Sequence, residues 1–531
     1  MEVPVLTLIT GISLALFLLY KGVIYPGFLS PLSKIPNAHW TAPISPAWIL
    51  WRRFRSQNNR TINAAHERLG PIVRLAPSEI SINCVEGGIK SVYTGGFEKH
   101  EWYPRVFGSF GGIIQTRSTV SMFTMTGNKV HSTRKRILSN IYSKSFLQSS
   151  PHMRLISETV IFDRFLPILE EASSSHKELD VHDLNQGLTM DFVSGYLFGL
   201  TNGTNFLQDE EYRRKMLQIY QCRKPFEFYH QEVPGLLACL KSIGIRLIPK
   251  WCDAANEVLD AWGLELCDKA EKSLASTEPR VEPVVYKHLK QAISKQAPVN
   301  TDNPKLKAEY LEQQRLDIAC EMYDHLSAGH ETSAVVLTYL FWELSRHPEM
   351  QKALHKELLT IEPKIAFPRP SPLTELPSPK SIDSLPLLEA ILTETLRLHA
   401  SIPGIQPRVT PFPTCTLVGY ENIPANTRVN AQAYSLHRNP EVFPDPEAWE
   451  PKRWMKDCAS PVELDERRRW FWAFGSGGRI LSNKYTEMKL AVAAVYSNFK
   501  TSIVDDEGIE AIDAYTVKPK GEKLILQFAR V

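Results

Sequence analysis

Phe474-Gly475-Ser476-Gly477-Gly478-Arg479 (FGSGGR) leads at once into Ile480-Leu481-Ser482 and a stretch that reads as the last helix of the chain. Glycines at 475, 477 and 478 free the backbone from Cβ sterics, so a tight loop entering a helix is expected here. On spacing alone such a loop also suits a phosphate cradle. It lacks the Lys-Ser/Thr of a nucleotide-binding loop, however, and begins no βαβ unit.

Three further stretches precede it. Pro451-Lys452-Arg453-Trp454 places a guanidinium in a proline-bounded loop. Glu394-Thr-Leu-Arg397 falls on an expected helix, Leu385 to His399, where three-residue spacing puts carboxylate and guanidinium on one face among Leu388, Ile391, Leu392 and Leu396. Arg453 can complete a buried, structural triad with that pair. Ala328-Gly329-His330-Glu331-Thr332 lies mid-way along the longest expected helix, Leu316 to Arg346. Glycine there costs about 1 kcal/mol relative to alanine, so it marks either close helix packing or a ligand approaching the backbone. The adjacent carboxylate and hydroxyl of Glu331 and Thr332 form an acid-alcohol pair suited to relaying protons into a buried pocket.

The 531 residues are 43% hydrophobic, enough for two domains or one large α-rich one. With 61 basic against 58 acidic residues, the net charge of +3 gives no support to nucleic-acid binding. Eight cysteines stand singly, without CxxC pairs, as expected of reduced thiols facing the cytosol. Val3 to Tyr20 carries no charge and is long enough for a transmembrane anchor. Lys21, Lys34, Arg52, Arg53 and Arg55 follow it, which places the remainder on the cytosolic side. The prolines of residues 21–45 predict an extended, stiff connector. Short strands are expected at Ile72 to Leu75 and Ile80 to Ile82, helices over most of 127–362, a surface connection at Pro279 to Lys305 and a loop from Pro368.

In content and order, the AGxxT helix, ExxR, PxRx and FGSGGR resemble the cytochrome P-450 family. Gln406-Pro407-Arg408 and His437-Arg438-Asn439-Pro440 resemble its fungal microsomal members. The resemblance implies a mainly α fold with small β-sheets (α+β), as a transmembrane anchor (1–20), a connector (21–45) and one catalytic domain (46–531). It implies a haem cofactor (heme b), an apolar small-molecule substrate, O2, and electrons from NADPH-cytochrome reductase at the endoplasmic-reticulum membrane. Arg408 and Arg479 match the arginines that face the haem propionates. His131 and Lys135 stand where the family has a Trp-x-x-x-Arg pair, with Arg134 an equal alternative. Phe474 is expected to pack beneath the ring and Gly477 to let the backbone turn close to it. Glu331 and Thr332 match the oxygen-activation pair, with Gly329 beside the oxygen pocket. Arg467, Arg468, Arg469, Lys484 and Lys489 are expected to form the basic face that meets the reductase.

One departure concerns the iron. The family pattern Phe-x-x-Gly-x-Arg-x-Cys-x-Gly, laid on Phe474 without a gap, puts Leu481 at the cysteine and Asn483 at the last glycine. Aligning on the flanks instead deletes the cysteine, and neither alignment leaves a cysteine after Cys458. A misread exon boundary, a genuine loss of activity, or an unconventional Ser or Lys ligand are the explanations open to the sequence, and no metal ligand is assigned. The chain reads either as a monooxygenase or as a non-catalytic haem-fold binder or scaffold.

Overall fold

The computed structural model describes residues 2–107, 119–276, 278–296, 303–371, 374–475 and 482–531. Asn303 accepts hydrogen bonds on its side chain from the N–H groups of Lys305 and Leu306, with Pro304 in the first turn, and so starts a helix that runs to Arg346, before Pro348. At 43 residues it is about 65 Å long. Numbered along the chain, the helices that matter for the site are α1 (Glu2–Leu19), α2 (Ala47–Phe54), α3 (Asn128–Leu138), α4 (Val181–Phe198), α5 (Glu210–Cys222), α6 (Glu227–Glu232), α7 (Lys250–Ser273), α8 (Pro304–Arg346), α9 (Pro386–Leu398), α10 (Pro461–Trp470) and α11 (Ser482–Asn498). Helix α4 is buried along nearly its whole length and packs against α8. The main core joins them to α9 and α11.

Among the described residues ten short strands complete the fold: β1 (Ile72–Ala76), β2 (Glu79–Ile82), β3 (Glu98–Lys99), β4 (Leu179–Asp180), β5 (Arg408–Val409), β6 (Thr414–Leu417), β7 (Tyr420–Pro424), β8 (Arg428–Asn430), β9 (Phe499–Asp505) and β10 (Ile525–Arg530). A five-stranded sheet runs β1-β2-β8-β5-β3, a three-stranded one β4-β10-β9, and β6-β7 is a hairpin. In the first sheet Arg408 is the register partner of both Lys99 and Val429, so its backbone is held between two strands rather than on a free loop. The mainly helical fold with small sheets agrees with the sequence reading.

Three expectations need correction. The helix begun by α1 continues through Tyr20–Leu29 as a π-helix with Pro26 inside it, where the sequence predicted an extended connector. Pro26 is buried and its carbonyl accepts a hydrogen bond from Arg74 Nη1 at 2.8 Å, so tertiary contact holds the proline within the helix. Thr7–Leu29 is accordingly an exposed apolar helix long enough to cross a membrane. The connection around Pro279 to Lys305 contains the helix Val284–Gln296, which buries Val285, Tyr286, Leu289 and Ile293. Helix α8 starts twelve residues before the expected Leu316, because the Asn303 cap and Pro304 lie beyond the apolar periodic stretch.

Candidate active site

Helix α8 is almost wholly buried between Leu326 and Leu344, but Ala328 and Thr332, and Asp324 just before them, are only partly buried. Steps of four from 324 to 328 to 332 put these positions on one face of the helix. Thr332 Oγ1 donates to the Ala328 carbonyl at 2.8 Å, a back-bond that holds the hydroxyl against its own helix. Gly329 meets α4: a Cβ there would lie 2.5 Å from Val193 Cγ2, so a missing side chain is required for the two helices to approach. Thr189 Oγ1 of α4 donates to the His330 carbonyl at 2.8 Å and fixes the same turn.

Glu331 is buried and faces the end of α5. Its carboxylate accepts from Tyr220 Oη at 3.3 Å and Gln221 Nε2 at 3.2 Å, and it is ion-paired with Lys224. Burial pushes its pKa up, but the Lys224 ammonium, His330 and the hydrogen bonds outweigh this and hold it at about 2. At neutral pH Glu331 is therefore ionised. Glu331 can pass a proton only when that ion pair opens.

Arg408 is buried in the five-stranded sheet. It is 2% exposed, its Nη1 donates to Tyr103 Oη at 2.9 Å and to the Pro407 carbonyl at 3.0 Å, and its guanidinium lies over the Tyr93 and Tyr103 rings. Among the described residues no carboxylate pairs with it. A buried guanidinium satisfied only by neutral groups is costly, and a bound carboxylate would relieve it. His131, Arg134 and Lys135 share one face of α3. Arg134 Nε approaches Glu321 Oε2 at 4.0 Å, while its buried Nη1 has no hydrogen-bond partner among the described residues. These donors fit a group carrying two carboxylates, as haem does.

The glycine loop is only partly described. Gly475 adopts φ +74°, a left-handed turn that favours glycine. Phe474 packs on the main core with its ring edge-on to Tyr485, 6.2 Å between centroids. Gly477 and Arg479, together with Leu481, lie outside the described residues. No sulfur ligand is available from 474 to 484 by sequence, and Cys458, the last cysteine, is exposed before α10. The residues present thus fit the carboxylates of haem but not an axial thiolate, and no reaction step is routed through its iron.

The expected triad is formed. Both Glu394 and Arg397 are 0% exposed, and the carboxylate accepts from Arg397 Nε and Nη2 at 2.8 Å, Arg453 Nε at 2.9 Å, Trp454 Nε1 at 2.8 Å and the Glu450 N–H at 2.9 Å. The Glu394 pKa is lowered, because these donors outweigh burial. The expected basic residues are all paired or buried among the described side chains, although Arg468 and Arg469 remain exposed. Arg467 is buried with Nη1 on the Arg453 carbonyl, and Lys489 is buried between Asp383 and Glu389. Arg468 pairs with Asp465, and Arg469 with Glu466 and Glu86, because α10 places acids three residues before these arginines. The side chain of Lys484 is outside the described residues.

Sequence reasoning missed Tyr103, Lys224 and Glu321. Only the last had a usable signal, since it precedes Thr332 on the same helix. Lys224 and Tyr103 reach the site from distant segments.

A family model described as Cytochrome P450 matches residues 43–526. The chain is similar to cytochrome P450 monooxygenase avaI of Aspergillus versicolor, with 26% identity over 79% of this chain and 92% of that protein. Cytochrome P450 monooxygenase FGM1 of Gibberella zeae is 25% identical over 99% of this chain and 97% of its own. Cytochrome P450 monooxygenase BOT1 of Botryotinia fuckeliana is 26% identical over 92% and 89% respectively.

Proposed function

The chain belongs to the cytochrome P450 family, and on that premise we propose that it is a haem protein of the fungal monooxygenase type, acting on a largely apolar small molecule of secondary metabolism. In this reading the Thr7–Leu29 helix anchors it in the endoplasmic-reticulum membrane and the body faces the cytosol. The family takes electrons from a reductase, here an NADPH-cytochrome reductase. The observation that carries the reading is Arg408, a buried guanidinium without a carboxylate partner among the described residues. Arg408, Arg479 and the α3 donors His131, Arg134 and Lys135 would hold the haem propionates, and Phe474 and Gly477 would line its other face. When bound with a thiolate ligand, haem supplies the activation of O2 and the insertion of one oxygen atom into the substrate. In this reading Thr332 would orient a hydrogen bond near the haem, Glu331 would exchange a proton there when its Lys224 ion pair opens, and Gly329 would bring α8 close to α4.

A second reading follows from the absence of any cysteine after Cys458. As sequenced, the chain would hold haem by its propionates without the thiolate and would serve as a non-catalytic binder or scaffold. The carbon-monoxide difference spectrum of the reduced full-length protein separates the two. The expected outcome is bound haem without the Soret band of thiolate ligation, and restoration of that band in Leu481→Cys or in a chain made from sequenced transcript. A thiolate band from the unmodified chain would remove the second reading. Failure to bind haem at all would remove both.

A further inference from the structure

His437, in the His437-Arg438-Asn439-Pro440 stretch, is 0% exposed, and both nitrogens of its ring are engaged. Nδ1 lies 2.8 Å from the Arg397 carbonyl oxygen and Nε2 lies 2.7 Å from the Trp472 backbone nitrogen. A carbonyl only accepts and a backbone N–H only donates, so the ring proton is on Nδ1 and Nε2 keeps its lone pair. The bonding to Arg397 is reciprocal, since Arg397 Nη1 donates to the His437 carbonyl at 3.0 Å. The ring also stacks on Phe471, with 5.4 Å between centroids and 10° between planes.

Each partner stands at a junction. The Arg397 carbonyl is in the last turn of α9, where carbonyls lack an intrahelical donor, and the same residue supplies a guanidinium to the Glu394 triad. Trp472 follows the end of α10, and its carbonyl accepts from the Gly475 N–H at 3.0 Å in the turn where Gly475 takes its left-handed φ. One imidazole therefore joins the end of the triad helix to the backbone at which the glycine loop begins. Burial above all, with the Arg397 and Arg438 charges, lowers the His437 pKa to about 3 against the pull of the Arg397 carbonyl, so the ring is neutral near pH 7.

We propose that His437 is a positioning residue of the haem site and acts through the Trp472 amide, fixing the start of the glycine loop against α9 so that haem is retained. The proposal rests on the reading that this loop contacts haem. Trp472 is buried, and its N–H without an acceptor loses its compensation for lost water, so the segment gains by moving away from α9. The acceptor at Nε2 carries the effect.

The test compares His437→Gln with His437→Met on the detergent-solubilised full-length chain. The two replacements fill similar volumes and both lack the Nδ1 donor, but only glutamine brings an oxygen acceptor to the Nε2 position. Two rates are read: exchange of the Trp472 amide, by mass spectrometry with fragmentation to single residues, and transfer of haem to excess apomyoglobin. His437→Met is expected to speed both about tenfold, as the loss of one buried hydrogen bond allows, and His437→Gln to stay within about twofold of the unmodified chain. Equal effects of the two variants would overturn the proposal, and so would faster amide exchange in His437→Met with unchanged haem transfer. In the unmodified chain the Trp472 amide should exchange as slowly as the amides of α9. Exchange within seconds at pH 7 would overturn the proposal without any variant, so a poorly folding His437→Met does not shield it. A chain that takes up no haem would remove the functional reading and this proposal with it, whereas haem uptake with equal variants would remove this proposal alone.

Discussion

Glu331 illustrates how a single side chain can change meaning with its partners. As a carboxylate next to a threonine it looks like a proton donor, but the Lys224 ion pair and the hydrogen bonds from Tyr220 and Gln221 hold it ionised, with a pKa of about 2 against an ordinary 4.5. A depressed carboxylate pKa stabilises the folded state above the unfolded value and loses that contribution as pH falls through the folded one. The stabilisation is on the order of 3 kcal/mol, from about 1.4 kcal/mol per unit. Thermal melts of the unmodified protein and Glu331→Gln should thus differ most at pH 6 and converge as pH approaches 2. A difference that stays constant between pH 6 and pH 3 would show that the ion pair does not hold the charge.

At the scale of elements, the approach of α8 to α4 is set by what Gly329 lacks. A Cβ would be 2.5 Å from Val193 Cγ2 and 3.1 Å from its Cβ, too close for a branched side chain fixed on a buried helix to yield easily. Alanine gains about 1 kcal/mol in helix propensity, yet overpacking a buried contact costs about 1–3 kcal/mol. Gly329→Ala is expected to lower the melting temperature, and Val193→Ala to restore it in the double variant, since the two residues touch and should couple. Additive effects would mean that the helices are spaced by other contacts. The ion-paired carboxylate of Glu394 works at the same scale: it fastens α9 to the irregular stretch that ends at Trp454, and that stretch in turn holds Arg467 of α10.

Across the whole molecule, a buried charge network joins segments far apart in the chain. Glu232, at the end of α6, accepts from Arg53 Nη1 of α2 at 2.8 Å, from Arg428 Nη1 and Nη2 of β8 at 3.0 and 3.1 Å, and from Trp102 Nε1 at 3.0 Å. Glu79 of β2 shares both guanidiniums. None of the residues of Lys224–Glu232 or Pro234–Ser242 is buried as a whole, so the Glu232 carboxylate is a principal tie of this segment to the sheet. Breaking a buried pair by removing one partner costs about 3–5 kcal/mol. Glu232→Gln should raise amide hydrogen exchange across 227–242 while leaving α4 and α9 protected. Unchanged exchange there would assign the tie to apolar contacts instead.

Much of this was legible in the sequence. The ordered motifs identified the family, the expected helices Leu316 to Arg346 and Leu385 to His399 correspond to most of α8 and to α9, and a spacing of three residues put Glu394 and Arg397 on one face. These features are local, because helix geometry converts spacing directly into a shared face. Only the tertiary structure decided that Gly329 serves the contact with Val193, that Lys224 claims Glu331, that acids neutralise the arginines of α10, and that Pro26 remains helical against Arg74. Each of these depends on which distant group arrives opposite a given side chain, and burial makes that partner decide the charge, since a lone ion loses its water and must find compensation wherever the fold supplies it.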